Sequence, residues 1–354
     1  MANPLQWLLG LITLDISIDL GTANTLVHVH GKGIVINEPS WVAIDKKSRR
    51  VLKVGRAAKE IVGRTPPSVI TLRPIRDGVI SEFDAASTMM EYFIRRVINQ
   101  SVVPVPLTRV IVGVPVGATS VERRAVVDAA ISAGAREALL VEEPVASSIG
   151  AGLPIRGVHS TMLMDIGGGT TEIAVFSSRR MLLSHSIRVA GDEMDENINT
   201  YLREKYNLLI GQTMAEQAKK TIGAAAPLGE EKVMTVRGRN LISGLPEEVE
   251  ISSVEMREAL APSLKAISQA LRDILEQAPP EIMADLLDSG LCLTGGGALL
   301  NGLPERLSEE FRIRVWRADD PLTCVVRGAA AILAAQNEHR EFLASADRDH
   351  RPRR

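Results

Sequence analysis

Two aspartates in this 354-residue chain stand at the ends of strand-like runs, and a turn of glycine and small residues follows each. The two segments are Asp19-Leu20-Gly21-Thr22-Ala23-Asn24 and Asp165-Ile166-Gly167-Gly168-Gly169-Thr170-Thr171-Glu172. A tight turn of this composition points several backbone N–H groups into one anion-binding concavity, because glycine tolerates the positive φ this needs. An aspartate at the strand end can hold Mg²⁺ through its water shell while the metal neutralises phosphate charge. One such turn would be weak evidence, since Asp-x-Gly before a hairpin is more often a plain turn. Two in matching positions are a stronger signal. Neither Gly-x-x-x-x-Gly-Lys-Ser/Thr nor a helix-opening Gly-x-Gly-x-x-Gly occurs, so these turns are the candidate phosphate binders.

The elements that must position them follow from periodicity. Leu14, Ile16, Ile18 and Leu20 alternate with Thr13, Asp15, Ser17 and Asp19, a strand that stops at Gly21. Residues 25–30 and 34–44 add two strand-like runs around Gly31 and Gly33, which predicts a three-stranded meander. Residues 45–80, richer in charge and proline, read as a small excursion. Ser81 with Asp84 is expected to cap a helix with the stripe Phe83, Ala86, Met90, Phe93 and Val97. Residues 110–114 then form a buried strand, Thr119 with Glu122 caps a helix that Gly134 ends, 139–141 is a strand, and Pro144 starts a helix.

From residue 157 the opening repeats, with a strand over 161–164, the Asp165 turn, and returning strands over 172–176 and 181–189. Laid over each other without gaps, Asp19-Leu20-Gly21 falls on Asp165-Ile166-Gly167, Thr25 on Thr171, and Val27 and Val29 on Ile173 and Val175. A duplicated fold explains this. After Gly191 come helices through 206 and over 215–222, and a hairpin-like stretch with Gly238 and Gly244. A long helix carries Leu260, Leu264, Ile267, Leu271 and Ile274, with Pro262 placed to bend it. A core strand over 291–294 runs into Gly295-Gly296-Gly297, and an alanine-rich helix over 323–335 closes the fold. The charged tail beyond Phe342 is expected to be disordered.

The length exceeds the roughly 100–200 residues of one domain, so two domains are expected. With 45% hydrophobic and 24% charged residues the composition is globular, and 41 Lys and Arg against 43 Asp and Glu suggest no nucleic-acid partner. Cys292 and Cys324 are too few for a disulfide framework and lack metal-site spacing, which reads as a reducing cytosol. His28, His30, His159, His185, His339 and His350 lack partners at ligand spacing, so Mg²⁺ is expected only with a nucleotide. No charged side chain precedes Asp15, and the apolar start is shorter than a bilayer span, which points to neither export nor a transmembrane segment. Leu5, Trp7, Leu8, Leu9, Leu11 and Ile12 surround a polar face of Asn3, Gln6, Gly10 and Thr13 at helical spacing, a pattern of an interfacial helix. A frayed terminus or a segment docked on the core fits equally well.

The two turns and Leu293-Thr294-Gly295-Gly296-Gly297 resemble, in order, the phosphate-1, phosphate-2 and adenosine motifs of the actin, sugar-kinase and heat-shock-chaperone ATPase superfamily. Glu142-Glu143-Pro144-Val145-Ala146, Ala190-Gly191-Asp192-Glu193-Met194-Asp195 and Asp320-Pro321-Leu322-Thr323 are similar to the MreB-type bacterial actins along nearly the full length. The resemblance implies an α/β, duplicated actin-like (ribonuclease H-like) fold of two domains with a nucleotide cleft between them. It divides the chain into a membrane-binding segment 1–12, domain I over 13–156 plus 327–343 with a small subdomain about 43–76, domain II over 157–326 with a small subdomain about 191–252, and a tail 344–354.

It also implies roles. ATP and Mg²⁺ would be held by Asp19, Gly21, Thr22, Ala23, Asn24, Asp165, Gly167, Gly168, Gly169, Thr170, Gly191, Asp192, Gly295, Gly296, Gly297 and Ala298, with Asp19 and Asp165 holding the metal through water. Glu143 and Thr170 would position the attacking water. Glu143 serves equally as a dipole partner for the helix at Pro144, as does Glu142. Glu216 and Lys219, one helical turn apart, can face one ligand, and the family's corresponding helix contacts the adenosine. Thr213-x-x-Glu216 is also a capping box. The apolar link 101–107, with Val105 and Leu107, is either a buried connection or, as the family implies, a membrane-binding loop.

The function implied is an ATPase that polymerises into membrane-associated filaments. It would be cytoplasmic, bind itself and the inner face of the membrane, and organise the cell-wall elongation machinery. The alternative is a metabolite kinase using the same cleft, but no candidate catalytic base facing an acceptor pocket is evident. A chaperone ATPase would need a substrate domain after residue 343.

Overall fold

The computed structural model of the chain describes residues 13–100, 107–336 and 338–344. The segment 1–12, with Leu5, Trp7, Leu8, Leu9, Leu11 and Ile12, lies outside the described residues, as do Val105 and the tail beyond 344. Two units form, Met1–Leu153 with Thr323–Arg354, and Pro154–Leu322.

The first unit opens with a meander of β1 (Thr13–Leu20), β2 (Asn24–Val29) and β3 (Gly33–Pro39), but the run expected over 34–44 breaks at Ser40 and Trp41, and residues 42–44 pair in another sheet. The excursion is a small sheet of β4 (Val42–Asp45), β5 (Val51–Val54) and β6 (Val69–Leu72), with helix α1 (Arg56–Lys59) and a minor core of Trp41, Ala43 and Ala58. A hairpin, β7 (Ile75–Arg76) and β8 (Val79–Ile80), precedes α2 (Phe83–Ile98). Next come β9 (Leu107–Val114), α3 (Ser120–Ser132), β10 (Glu137–Glu142) and α4 (Glu143–Gly150). Thr119 and Glu122 make the predicted reciprocal capping box on α3.

The start of α2 differs from expectation. Its N-cap is Glu82, with no side-chain cap, because the Ser81 hydroxyl donates to the Pro74 carbonyl instead. Phe83, in the first turn, is 46% exposed, and the buried face is Ala86, Met90, Phe93 and Val97 with Ala85, Met89 and Ile94.

The second unit repeats the plan with β11 (Thr161–Ile166), β12 (Thr171–Ser177) and β13 (Arg180–Ile187), followed by α5 (Gly191–Tyr206). Its small sheet is β14 (Leu208–Leu209), β15 (Val233–Asn240) and β16 (Pro246–Ser252), with α6 (Gln212–Ile222) between the first two strands in sequence. Then α7 (Ser253–Gln277), α8 (Pro280–Ser289), β17 (Leu291–Thr294), α9 (Leu303–Phe311) and β18 (Val315–Arg317) complete it. The α7 helix runs unbroken through Pro262, which lies on its exposed face, where water can take the carbonyl left without an N–H partner. On α6 the N-cap is Gly211, and Thr213 lies inside the helix, so the Thr213–Glu216 capping box does not form. The chain then returns to the first unit with α10 (Cys324–Ala334) and β19 (Leu343–Ala344).

The duplication holds residue by residue. In the first sheet β1 lies between its antiparallel meander partner β2 and the parallel strand β9; in the second, β11 lies likewise between β12 and β17. Asp19 pairs with Leu26 and Leu20 with Thr25, as Asp165 pairs with Glu172 and Ile166 with Thr171. The gap-free alignment of the sequence is therefore also an alignment of registers.

Both sheets are covered on both faces in their centres. Ile16, Ile18, Val27, Val110 and Val112 face Met89, Met90, Phe93 and Val126 in one core. The alternation in β1 suggests a solvated second face, yet Ser17 is buried and donates to the Val326 carbonyl of α10 at 3.0 Å. In the second unit Met162, Met164, Ile173 and Val175 share a core with Met194, Ile198, Leu260, Leu264 and Ile267. Helices α4 and α10 cross with backbones nearly touching, where a Cβ built on Gly328 would lie 1.7 Å from the Ala146 carbonyl oxygen. At the start of β1, Arg109 grips Asp15 with two hydrogen bonds, 2.8 Å from Nε and 2.5 Å from Nη2, and donates to Gln336.

Candidate functional site

In the first unit the Asp19 turn is braced from two directions. The Ser40 hydroxyl donates to the Gly21 carbonyl at 2.6 Å and lies 2.9 Å from the Thr25 hydroxyl. Thr22 is buried, and its hydroxyl accepts the Gly78 N–H from the β7–β8 hairpin at 3.2 Å. The two adjacent glutamates have different surroundings. Glu142 is buried and lies 3.3 Å from Arg123, whose guanidinium also donates to the carbonyls of Ala118 and Val116. Glu143 opens α4 half-buried, beside Gly113, and lines a hollow with Leu20, Ile80, Pro115 and Glu122. Glu142 is held in a buried ion pair, whereas Glu143 lines the hollow at the end of β1.

In the second unit the Asp165, Gly191 and Gly295 segments form one hydrogen-bonded assembly. The turn closes on itself through Gly167 N–H to the Thr170 carbonyl, 2.9 Å. The first amides of α5 hold its outer edge, Gly191 N–H to the Gly167 carbonyl at 3.2 Å and Asp192 N–H to the Gly168 carbonyl at 2.7 Å. The Thr294 hydroxyl donates to the Asp165 carboxylate at 2.8 Å. Gly295 has φ +79, and a Cβ there would meet the Ile166 carbonyl oxygen at 2.4 Å and the Asp165 carboxylate at 2.6 Å. Only glycine fits on both counts. Part of what resembles an adenosine-motif glycine run is thus a packing requirement of the Asp165 strand.

Glu216 and Lys219 do not turn to one another. Glu216 pairs with Lys220 at 2.5 Å, whereas the Lys219 ammonium lies 2.8 Å from Asp195. Burial pushes the Asp195 carboxyl up to about 6 despite that ammonium, with Glu216 and Asp192 adding to the rise. Thr294 and Asp195 stand in motifs quoted from the sequence but without a role of their own, and Ser40 is in none. Each is polar and common, and its partner is distant in sequence, so no local spacing marks it.

The model of the MreB/Mbl protein family matches residues 13–341. The chain belongs to the MreB/Mbl family. Cell shape-determining protein MreB of Escherichia coli K12 is 48% identical over 334 residues, 93% of this chain and 96% of that protein. Cell shape-determining protein Mbl of Bacillus subtilis is 44% identical over 319 residues, covering 90% and 95%. MreB5 of Spiroplasma citri, solved with ADP and with AMPPNP, superposes with a TM-score of 0.88 at 35% identity; the ADP form covers 94% of this chain and 99% of MreB5. As a member of the MreB/Mbl family the chain is a bacterial actin with the duplicated actin-like fold, and the metabolite-kinase alternative is not favoured.

Proposed function

We propose that this bacterial actin binds ATP with Mg²⁺, hydrolyses it, and polymerises into filaments on the inner face of the cytoplasmic membrane that organise cell-wall synthesis. The observation that carries this reading is the Asp165 turn, held by the amides of Gly191 and Asp192 on one side and by Thr294 on the other. Such fixed backbone geometry suits a ligand whose charge must be met without rearrangement. Asp19 and Asp165 are half-buried carboxylates at equivalent strand ends, and hard oxygen donors of this kind fit Mg²⁺. The metal, bound with the nucleotide, would supply charge neutralisation at the phosphates.

In this reading the amides of Gly168 and Gly169 bind phosphate oxygens, while that of Gly167 closes the turn on the Thr170 carbonyl. Gly21, Ala23 and Asn24 present the corresponding surface of the Asp19 turn. Glu143 and Thr170 hold the attacking water, Glu143 by accepting its proton or orienting it. Gly295 to Ala298 approach the adenosine, with Glu216 on α6.

The membrane part is supported by register. Thr13 pairs with Leu107 in the parallel β1–β9 ladder, so the segment 1–12 and the link 101–106 attach to neighbouring strand ends, just before the Asp15–Arg109 clamp. Among the described residues no helix is long and apolar enough to cross a membrane.

Electron microscopy with ATP and lipid, alongside phosphate-release kinetics, tests the proposal. Filaments and ATP-dependent phosphate release are expected, and Glu143→Ala should slow release while leaving ATP binding intact. Absence of filaments under all nucleotide conditions would refute the polymer reading, and unchanged hydrolysis in the variant would remove Glu143 from the mechanism.

A further inference from the structure

One guanidinium ties together two connections at the end of the first sheet. In the parallel β9–β10 ladder Glu142 lies beside Val114, so the turn 115–118 that leads into α3 and the junction from β10 into α4 leave the sheet side by side. Arg123, on α3, donates from Nε to the Ala118 carbonyl at 3.0 Å, and from Nη2 to the Val116 carbonyl and the Glu142 carboxylate, both at 3.3 Å. The side chains of Arg123 and Glu142 are only 2% and 5% exposed. Glu142 is the N-cap of α4, yet its side chain does not cap the helix; the carboxylate is turned to Arg123 instead.

Glu143 follows directly, and its backbone is fixed from both sides, by the pinned Glu142 and by Pro144, whose ring locks φ in the first turn of α4. Its side-chain stem runs past Gly113, where a Cβ would lie 3.4 Å from the Glu143 Cγ. Pro115, Ala118 and Glu122 line the same hollow as Glu143, so both connections that Arg123 holds contribute to its wall. A buried ion pair adds little net stability over apolar side chains of similar volume, but the planar guanidinium fork admits one arrangement of its acceptors. We propose that Arg123, acting through Glu142, is a positioning residue for ATP hydrolysis: it fixes the β10–α4 junction so that the Glu143 carboxylate stands where the attacking water is held. This rests on the hydrolysis reading above and adds to it the pair that aims Glu143.

Phosphate-release kinetics on the full chain test it, with Arg123→Lys and Glu142→Gln each made alone and in a Glu143→Ala background. Lysine keeps the charge but not the fork, and glutamine keeps the size of Glu142 without its charge. Far-UV circular dichroism checks that each is folded, and the near-isosteric Glu142→Gln carries the test if Arg123→Lys does not fold. Each single variant is expected to lower kcat by about tenfold, as a small misplacement of a catalytic group does, with KM for ATP and the affinity for ADP unchanged. In the Glu143→Ala background neither should slow release further, because both act through Glu143; a merely structural pair would lower kcat there as well. The inference is overturned if folded Glu142→Gln releases phosphate at the wild-type rate, if nucleotide affinity falls as much as kcat, or if the loss persists in the Glu143→Ala background. A Glu143→Ala chain that hydrolyses ATP like the wild type would overturn the role of Glu143 itself, and this inference with it.

Discussion

Gly328→Ala sets two effects of opposite sign against each other. In a helix interior alanine is favoured over glycine by up to about 1 kcal/mol, so on propensity alone the change would stabilise α10. At this position the added Cβ would lie 1.7 Å from the Ala146 carbonyl oxygen, 2.6 Å from its carbon and 2.8 Å from the Gly150 nitrogen, and real Cβ contacts essentially never fall under 3.0 Å. These neighbours are backbone and cannot turn aside, so α4 and α10 must separate by more than an ångström. That separation pulls the Val326 carbonyl from Ser17 and opens the packing between α10 and β1. Overpacking of a well-filled interior costs roughly 1–3 kcal/mol and occasionally more, and the backbone contact argues for the upper end. The net loss should be about 2 kcal/mol, a fall in melting temperature of roughly 4–8 °C for a unit of this size. Thermal unfolding followed by circular dichroism, without nucleotide, measures it. Ala331→Gly on the exposed face of the same helix is the control, expected to cost only about 1 kcal/mol. A Gly328→Ala protein as stable as the wild type or more so would refute the close-crossing argument.

Arg123→Met should destabilise the first unit by about 3–5 kcal/mol in urea unfolding, because it removes the guanidinium that faces the buried Glu142 carboxylate. For Asp195 the folded state keeps the proton up to about pH 6, whereas the ordinary carboxyl loses it near 3.8. Between these values the folded chain binds more protons, so the contribution of Asp195 to stability falls as pH rises, by an amount on the order of 2–3 kcal/mol. Unfolding of the wild type and Asp195→Asn at pH 4.5 and 6.5 should show the wild type losing stability relative to the variant at the higher pH; an equal pH response would contradict it. Cosedimentation with liposomes should persist at moderate salt, because the polar face of segment 1–12 is uncharged, and should be lost when 1–12 is deleted with Val105→Ser and Leu107→Ser. Loss of binding in salt alone would count against apolar insertion.

The strands, the duplication and the order of the elements were legible along the chain, although the run over 34–44 divides between two sheets and the strand over 161–164 extends through Ile166. Alternation in β1, the matched turns after Asp19 and Asp165 and the Thr119–Glu122 box are local patterns, and local patterns survive whatever packs around them. A local signal misled where it had a competing distant partner. Ser81 bonds Pro74 rather than capping α2, and Thr213 lies inside α6 because that helix begins at Gly211. Which of Glu142 and Glu143 is buried depends on Arg123 across the core and could not be read locally. The same holds for Ser17 under α10, for Gly328 against Ala146, and for Lys219 on Asp195. Each of these is a contact between elements far apart in sequence, where charge pairing and steric exclusion act through space and leave no period or spacing along the chain to read.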